Sequence, residues 1–399
     1  MIRKRLLALL LCVGLLAGGK AGAVTLYTAS SFAGEDESAA VYADLLRSFE
    51  ETYGCVILDR SSASNESWKR GVLHDFAAGN EPDILFFFAH GADSAPILSR
   101  VVPISRILAD YPEMNLPVSE ALREADGEVY AIPVRPFWEG LLCNTELFDR
   151  CGLPLPDTWE HLMEDIRGFR EQGIIPFAVS LIDSPHYIAE MVLLACASAE
   201  EQQARPKSYE EIPESWFQAM ALLRELNEAG AFPDHPGLVD EHMANALFRN
   251  GQAAIQADGV WFAHQLTEEE MLRTAVLPMP AKTGNERPDA YIGGVSMGFY
   301  LTRRAYEQPS VRDLAVQLLG YLTSDQSRRR LAGSALSGLT ESTAAALTGD
   351  DRLMLSPVQD AMNAAAREVW LMECIPAVAE GSMTPEECWR RVMELKPFQ

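Results

Sequence analysis

Between residues 24 and 89, three short apolar runs alternate with two amphipathic stretches, and this order restricts the fold more than any other feature. "VTLYTASSF" at 24–32 predicts a strand, and "ESAAVYADLLRSFEETYG" at 37–54 predicts a helix ended by Gly54. "CVILDR" predicts a second strand, and "WKRGVLHDFAAGNEPDILFFFAHG" predicts a helix, a turn and a buried strand. Because helices joining parallel strands cover both faces of a sheet, this order predicts an α/β fold with a mainly parallel sheet.

Polar and aromatic residues follow the predicted strands at the edge where a ligand would bind. In open α/β sheets, ligands bind beyond the carboxyl ends of the strands. The first strand runs into Ser30 and Ser31, and the third runs into Phe88, His90 and Asp93. These five residues are candidate ligand contacts. Phe88 is equally compatible with a core position, and Asp93 with a helix cap.

The strand and helix pattern begins again after a proline-containing crossing, "GEVYAIPVRPFWEG" at 127–140. A residue that precedes proline favours extended backbone, which suits a chain leaving a sheet. From about 135 to 270 there follow helices and the strands "IPFAVSL" and "AAIQADG". Two sheet-bearing segments, crossed more than once by the chain, predict two lobes around a cleft.

Large aromatic and charged residues follow Pro133 in this crossing. Trp138 is a candidate because a large aromatic residue in the crossing has little core to fill. Arg135 and Glu139 are candidate charged contacts, because hydrogen bonds to charged groups are stronger than those between neutral groups. An ion pair between Arg135 and Glu139 with a purely structural role is the alternative.

The first 23 residues have the composition of a secretory signal peptide. "MIRKR" is basic, "LLALLLCVGLLA" is apolar, and "AGA" at 21–23 offers small residues before Val24. The apolar run is short for a bilayer span, which needs about 20 residues. The sequence therefore predicts export to the periplasm or cell envelope, with an uncleaved anchor as the alternative.

Charge and cysteine content argue against several classes of partner. The 399 residues include 57 acidic and 33 basic side chains, a net charge of −24 that repels phosphate backbones. We therefore expect no nucleic-acid partner. Six cysteines follow the predicted signal without any C-x-x-C spacing, so at most one disulfide is expected, and no metal or cofactor.

The sequence requirements of two enzyme classes are not met by this chain. "GVSMG" at 294–298 fits a nucleophile elbow, which requires a histidine further along the chain. All seven histidines precede Ser296, so the order fails. A glycosidase requires two facing carboxylates, and no sequence pattern singles out one pair among the acidic residues.

One local cluster contains residue types that bind metals. "DHPGLVDEH" at 234–242 is the only such cluster in the sequence, and it is typical of a solvated loop and helix start.

Five motifs in register resemble a known family. "GEVYAIPV" followed by "LLCNTELFDRCGLPLPDTWEHLMEDI" is similar to extracellular solute-binding proteins of ABC importers, in the sugar-binding, maltose-binding-protein-like group. "FAAGNEPDILFFFAHG", "LFRNGQAAIQADGVW", "YIGGVSMGFYLTRRA" and "AVQLLGYLTSDQSRRRLA" match further motifs of that family in the right order. The resemblance covers nearly all of residues 24–399. Cys143 stands where the family usually has tyrosine.

The resemblance implies a two-lobe periplasmic-binding-protein fold with a hinge and an interlobe cleft. Residues 24–134 and about 282–328 would form the first lobe, and residues 135–281 and about 329–399 the second. The chain would be a monomer that captures a carbohydrate and delivers it to membrane permease subunits of an ABC importer, without catalysis. A sensor that docks on a membrane receptor, or a binder of a non-sugar small molecule, is the alternative.

The resemblance also implies roles for single residues. Trp261 falls on the family's stacking tryptophan, with a core position behind a glycine turn as the alternative. Phe88 and His90 align with a first-lobe loop that contacts the ligand, and Asp93 lies near them. "SLIDSPHYIAE" aligns with a second-lobe loop that reaches the ligand and offers His186 and Tyr187, a buried histidine being the alternative.

Overall fold

The computed structural model describes residues 23–34, 36–89, 91–134, 137–282, 290–331, 354–355 and 357–398. Within them the chain forms two sheets, each covered by helices. The signal peptide predicted at residues 1–23 lies outside the described residues except for its last position, and His90 and Arg135 lie outside them as well.

The first sheet has the strand order β2-β1-β3-β10-β4. Its strands are β1 (Thr25–Ala29), β2 (Val56–Asp59), β3 (Ile84–Phe88), β4 (Ile132–Pro133) and β10 (Met297–Leu301). The strands β1, β2 and β3 are parallel, as the sequence predicts, and β10 runs antiparallel to β3 and β4. Gly54 ends the first helix in the left-handed conformation, with φ 65°, which glycine adopts without steric cost.

The second sheet is mixed and is built around one long strand. Its strands are β5 (Phe137–Asn144), β6 (Ile175–Ala178), β7 (Ala253–Gly259), β8 (Thr274–Leu277), β9 (Tyr291–Gly294) and β11 (Met354–Leu355). The long strand β5 pairs antiparallel with β7, β8 and β9, while β6 lies parallel to β7. We call each sheet with its helices a lobe.

Helices cover both sheets. The α-helices are α1 (Ala39–Tyr53), α2 (Glu66–Ala78), α3 (Gly91–Leu98), α4 (Ile104–Asp110), α5 (Thr145–Cys151), α6 (Trp159–Glu171), α7 (Pro185–Cys196), α8 (Ala199–Gln202), α9 (Glu214–Glu228), α10 (Glu241–Arg249), α11 (Val260–Ala263), α12 (Glu268–Leu272), α13 (Arg303–Glu307), α14 (Arg312–Leu322), α15 (Asp325–Leu331), α16 (Ala364–Val369), α17 (Ile375–Ala379) and α18 (Pro385–Met393). Four short 3₁₀ turns and the π-helical turn Trp370–Cys374 complete the described elements. No described helix is both long enough and apolar enough to span a bilayer.

The chain passes between the sheets at two described places. It leaves the first sheet after β4 and enters the second with β5, so this crossing lies between Val134 and Phe137. It returns between β9 and β10, where the carbonyl of Ser296 accepts a hydrogen bond from the amide of Ala89. The resemblance places the return crossings near 281–292 and 325–337, and β9 still pairs with β5 of the second sheet.

Each lobe has its own apolar core. Trp159, Trp216, Trp370 and Trp389 are buried in the second lobe. Leu331 at the end of α15 is fully buried in the first-lobe core. The chain therefore stays with the first lobe beyond the predicted boundary near 328, and β11 belongs to the second sheet.

Candidate functional site

A row of partly exposed aromatic side chains lies on the second lobe. The ring of Trp261 stacks on Phe137, with centroids 6.2 Å apart and planes 26° apart. The ring of Tyr187 also lies 5.3 Å from that of Trp261, and the rings of His186 and Tyr187 lie 4.2 Å apart. Most other aromatic residues of this lobe are buried, so this aromatic row is a distinct surface.

Local structure positions each member of the row. Pro185 occupies the first turn of α7, where its missing N–H costs nothing, so His186 and Tyr187 project from the start of that helix. Trp261 is separated from the end of β7 by one residue and lies in the short helix α11. Phe137 is the first residue of β5, the central strand of the sheet. Three separate elements thus converge on one surface.

Gly259 is required by the approach of Trp261. A Cβ atom at this position would lie 2.6 Å from Cη2 of Trp261, which is closer than real contacts allow. The backbone there has φ −119°, which any residue can adopt, so the constraint comes from the indole alone. The absence of a side chain at Gly259, two positions before Trp261, therefore allows the indole ring to lie against the end of β7.

Replacing Gly259 with Ala is expected to displace the Trp261 ring. Because the added methyl group overlaps the indole, tryptophan fluorescence should shift and ligand affinity should fall several-fold with little change in fold. The matched control is Gly71→Ala in the middle of α2, where a Cβ atom meets no atom within 4 Å. That change should leave affinity unaltered and stabilise the helix by about 1 kcal/mol. Equal affinities for all three proteins would contradict this assignment.

The first lobe presents a ring and a cation near this row. Phe88 ends β3 and is partly exposed, and Nζ of Lys69 lies 4.2 Å above its ring. The pKa of His186 is lowered to about 3, first by burial and then by the positive charges of Lys69 and Arg367. Lys69 belongs to α2 of the first lobe and His186 to α7 of the second. The two lobes therefore face each other closely here.

Two further contacts join the lobes. Nδ1 of His264, after α11, lies 3.1 Å from Oε1 of Glu37, which precedes α1. The first-lobe helix α3 also packs against the 3₁₀ turn Val358–Ala361 of the second lobe. These contacts describe an arrangement in which the cleft between the lobes is narrow.

Buried carboxyl groups lie beside the aromatic row. Glu139 on β5 is 3% exposed, and burial, then the negative charges of Glu190, Asp360 and Asp258, holds its pKa well above the usual value. Burial also raises the pKa of Glu190 and of Asp258 to about 7. The pKa of Tyr187 is raised by burial and by the charges of Asp258 and Glu139.

Backbone amides stabilise two of these carboxylates. Glu190 accepts hydrogen bonds from the amides of Val358 at 3.0 Å and Gln359 at 2.9 Å. Asp258 accepts one from the amide of Gly259 at 2.7 Å. In contrast, Oε2 of Glu139 and Nδ1 of His186 are buried without a hydrogen-bond partner among the described residues. Such atoms are uncommon in native proteins and require an explanation.

The expectation that Trp138 has little core to fill is wrong. Trp138 is 3% exposed and lies in an apolar cluster of the second lobe with Tyr291 and Phe262. Successive side chains of a strand point to opposite faces, so Trp138 points away from the face shared by Phe137 and Glu139. We therefore leave Trp138 out of the proposed site.

The remaining predicted contacts are distributed as follows. Ser30 is buried at the end of β1, where its hydroxyl lies 2.6 Å from that of Ser61 and accepts a hydrogen bond from the amide of Phe32. Ser31 is 3% exposed, and its hydroxyl has no partner among the described residues. Asp93 lies within α3, and its role as a ligand contact stays a prediction, as do those of His90 and Arg135.

Three residues of this region were missed from the sequence. Phe137 is adjacent to the candidate Trp138, and the alternation of a strand would have placed it beside Glu139. Asp258 is an acidic residue inside an otherwise apolar strand, which is a signal for a special role. Lys69 lies on a helix of the first lobe, and only the packing of the lobes brings it to this surface. No group of three or more potential metal ligands occurs within the part of the chain that the structure describes.

This fold and this surface define a two-lobe ligand-binding protein of the periplasmic type. Residues 34–329 match the model of the bacterial extracellular solute-binding proteins. The chain belongs to that family, whose members are binding proteins rather than enzymes, and the resemblance seen in the sequence is confirmed. Among curated proteins, no relative matches the chain by sequence.

Solved structures share the fold at low sequence identity. A chitin oligosaccharide binding protein has a TM-score of 0.78 at 18% identity, over 94% of this chain and 98% of that one. The maltose-bound MalE3 of T. maritima has a TM-score of 0.73 at 16% identity, over 94% and 99% of the two chains. The MalE domain of Bdellovibrio bacteriovorus bound to maltotriose has a TM-score of 0.67 at 16% identity, over 94% and 98%.

Proposed function

We propose that this protein captures a carbohydrate between its two lobes and delivers it to the permease of an ABC importer. The observation that carries the proposal is the aromatic row of Phe137, Trp261 and Tyr187, three partly exposed rings in contact with one another. The C–H faces of pyranose rings bind to such platforms, and two or three rings in a row suit an oligosaccharide. The neighbours named for chitin oligosaccharide, maltose and maltotriose support this substrate class.

Polar groups beside the row would bind the sugar hydroxyls. Nδ1 of His186 and Oε2 of Glu139 are buried and lack a partner among the described residues, so a hydroxyl group could satisfy each. The lowered pKa of His186 keeps its ring neutral at pH 7, and a neutral ring can accept a hydrogen bond. A buried polar atom left unpaired costs about 1–3 kcal/mol, which ligand binding would recover.

Closure of the lobes would follow from contacts made on both sides. The ligand would lie between the row on the second lobe and Phe88 with Lys69 on the first. Moving a lobe equilibrium from 1:99 to 99:1 requires about 5.5 kcal/mol of differential binding. One stacked ring contributes about 0.5–1.5 kcal/mol beyond burial, and each buried polar atom that gains a partner contributes about 1–3 kcal/mol. With one ring and the atoms of His186 and Glu139 that lack a partner among the described residues, these contributions span the required difference.

The proposed site therefore comprises a revised set of residues. From the sequence prediction it keeps Trp261, Tyr187, His186, Phe88 and Glu139, with Ser30, Ser31, Asp93, His90 and Arg135 as further predicted contacts. It adds Phe137 and Lys69 and omits Trp138. The protein would act as an exported monomer outside the cytoplasmic membrane, with permease subunits as its partner.

A thermal-shift screen of the mature chain against mono- and oligosaccharides tests the substrate class. We expect at least one neutral oligosaccharide to raise the melting temperature at millimolar concentration, because a ligand present at 100 times its Kd adds about 2.7 kcal/mol to the free energy of unfolding. Amino acids, short peptides, polyamines and divalent metal ions serve as controls. Stabilisation by one of these controls alone would overturn the carbohydrate proposal while leaving the family unchanged.

A further inference from the structure

Two cysteines of the second lobe lie side by side in its core. Cys374 ends the π-helical turn Trp370–Cys374, and Cys388 lies in α18. Both are 0% exposed, and Sγ of Cys374 lies 3.9 Å from the carbonyl oxygen of Cys388, to which it donates a hydrogen bond. The stacked rings of Trp370 and Trp389, with centroids 5.6 Å apart, hold the same two elements together.

The two thiols also influence each other's acidity. Their interaction lowers the pKa of Cys374 and raises that of Cys388 well above the usual value, which agrees with side chains that lie next to each other. A thiolate, not a thiol, attacks a disulfide, so one of the two must lose its proton before it reacts. No hydrogen bond joins any other pair among the six cysteines that the structure describes.

We infer that Cys374 and Cys388 form a disulfide that links the π-helical turn to the C-terminal helix of the mature protein. The oxidant is an external disulfide, either a dithiol–disulfide oxidoreductase or oxidised glutathione. The Cys374 thiolate attacks one sulfur of that disulfide and releases a thiolate. Deprotonated Cys388 then attacks the Cys374 sulfur and releases the second thiol. Two electrons and two protons pass to the external disulfide, which becomes two thiols.

Burial determines when this reaction occurs and what it does. Both sulfurs are inaccessible in the folded lobe, so oxidation must happen while α18 is not yet docked, or when it opens transiently. Once formed, the bridge closes the loop between Cys374 and Cys388, and it limits how far α18 can separate from the rest of the lobe. The inference relies on the proposed export only for the oxidising surroundings, because the geometry of the pair is independent of ligand binding.

Refolding of the mature chain in a glutathione redox buffer tests the pairing directly. Alkylation under denaturing conditions, followed by mass spectrometry, should find four free thiols instead of the six cysteines of the mature chain. Trypsin should release Glu368–Arg390, which contains both cysteines, lighter by two hydrogen atoms. A further cleavage of this peptide after Glu380 should leave the two fragments that contain Cys374 and Cys388 joined until a reductant is added. Six alkylated cysteines, or a bridge between any other pair, would overturn the inference.

Thermal stability supplies a second, independent readout. The oxidised wild type should lose several degrees of melting temperature when reduced. The double variant Cys374→Ala with Cys388→Ala should melt at one temperature with and without reductant, and Cys151→Ser should behave like the wild type. If the double variant fails to fold, the peptide map of the wild type still decides. Loss of sugar binding with the bridge intact would refute the proposed function alone.

Discussion

Replacing Asp165 with Asn is expected to stabilise the protein at pH 8 and to have little effect at pH 4. Asp165 lies on the core face of α6, is 1% exposed, and neither of its carboxylate oxygens has a partner among the described residues. Burial raises its pKa from 3.8 to about 7. This difference corresponds to at most about 4 kcal/mol of stability lost on ionisation, less where water reaches the group.

The sign follows from proton binding in the two states. The native state binds a proton to Asp165 more tightly than the unfolded state does. The contribution of Asp165 to the free energy of unfolding is therefore most favourable below pH 4. Stability is lost as the pH rises from about 4 to about 7, and the loss is constant above. Urea unfolding at four pH values should therefore show a difference between variant and wild type that grows over this window. If the free energies of unfolding of the variant and the wild type differ by the same amount at all four pH values, the account of Asp165 is wrong.

A control in the loop just before the same helix should show the opposite trend. Asp157 is exposed, and its hydrogen bond with His161 lowers its pKa. A lowered pKa gives stability that is present above the unfolded pKa and is lost as the pH falls. Asp157→Asn should therefore destabilise the protein slightly at neutral pH and not at acidic pH, which separates the buried carboxyl from a general effect of removing charge.

Replacing Trp261 with Ala is expected to lower carbohydrate affinity about tenfold or more while the fold survives. The indole is the middle ring of the aromatic row, so its loss removes one stacking face and frees Phe137 and Tyr187 to move. Loss of a stacked ring and its buried area costs about 1.5–3 kcal/mol, and each 1.4 kcal/mol is a factor of ten. Calorimetric titration measures the affinity, and circular dichroism verifies the fold.

Two control variants make this result specific. Trp261→Phe keeps a flat ring and should retain part of the affinity. Tyr27→Ala removes an aromatic side chain that is 39% exposed on the first lobe, away from the row, and should bind as the wild type does. Unchanged affinity in Trp261→Ala would remove this residue from the site, and equal losses in all three variants would indicate an indirect effect.

Local patterns in the sequence predicted the elements that local forces determine. The alternation of apolar strands and amphipathic helices gave β1 to β3 and their parallel order, and Gly54 marked the end of α1. The exact end of the second sheet before the return crossing depends on the pairing of β9 with β5, a contact between segments far apart in sequence. Non-local pairing of this kind leaves no local pattern in the chain.

The candidate site was predictable only in part, for a similar reason. Family motifs predict Trp261, Tyr187 and His186 as ligand contacts, whereas the size of Trp138 does not show on which face of the strand it lies. Asp165 interrupts the apolar stripe of Leu162, Ile166 and Phe169, so its burial can be predicted from the sequence. The proximity of Lys69 to His186 depends on how the lobes pack, which no sequence spacing shows.

Titration of the Phe88→Ala variant tests most directly whether a carbohydrate is held between the lobes. Phe88 belongs to the first lobe, whereas the aromatic row belongs to the second, so only a ligand that bridges the cleft depends on both. With the oligosaccharide that stabilises the wild type, we expect the affinity of Phe88→Ala to fall about fivefold or more, with one ligand bound per chain. An affinity equal to that of the wild type would contradict the account, because the sugar would then rest on the second lobe alone.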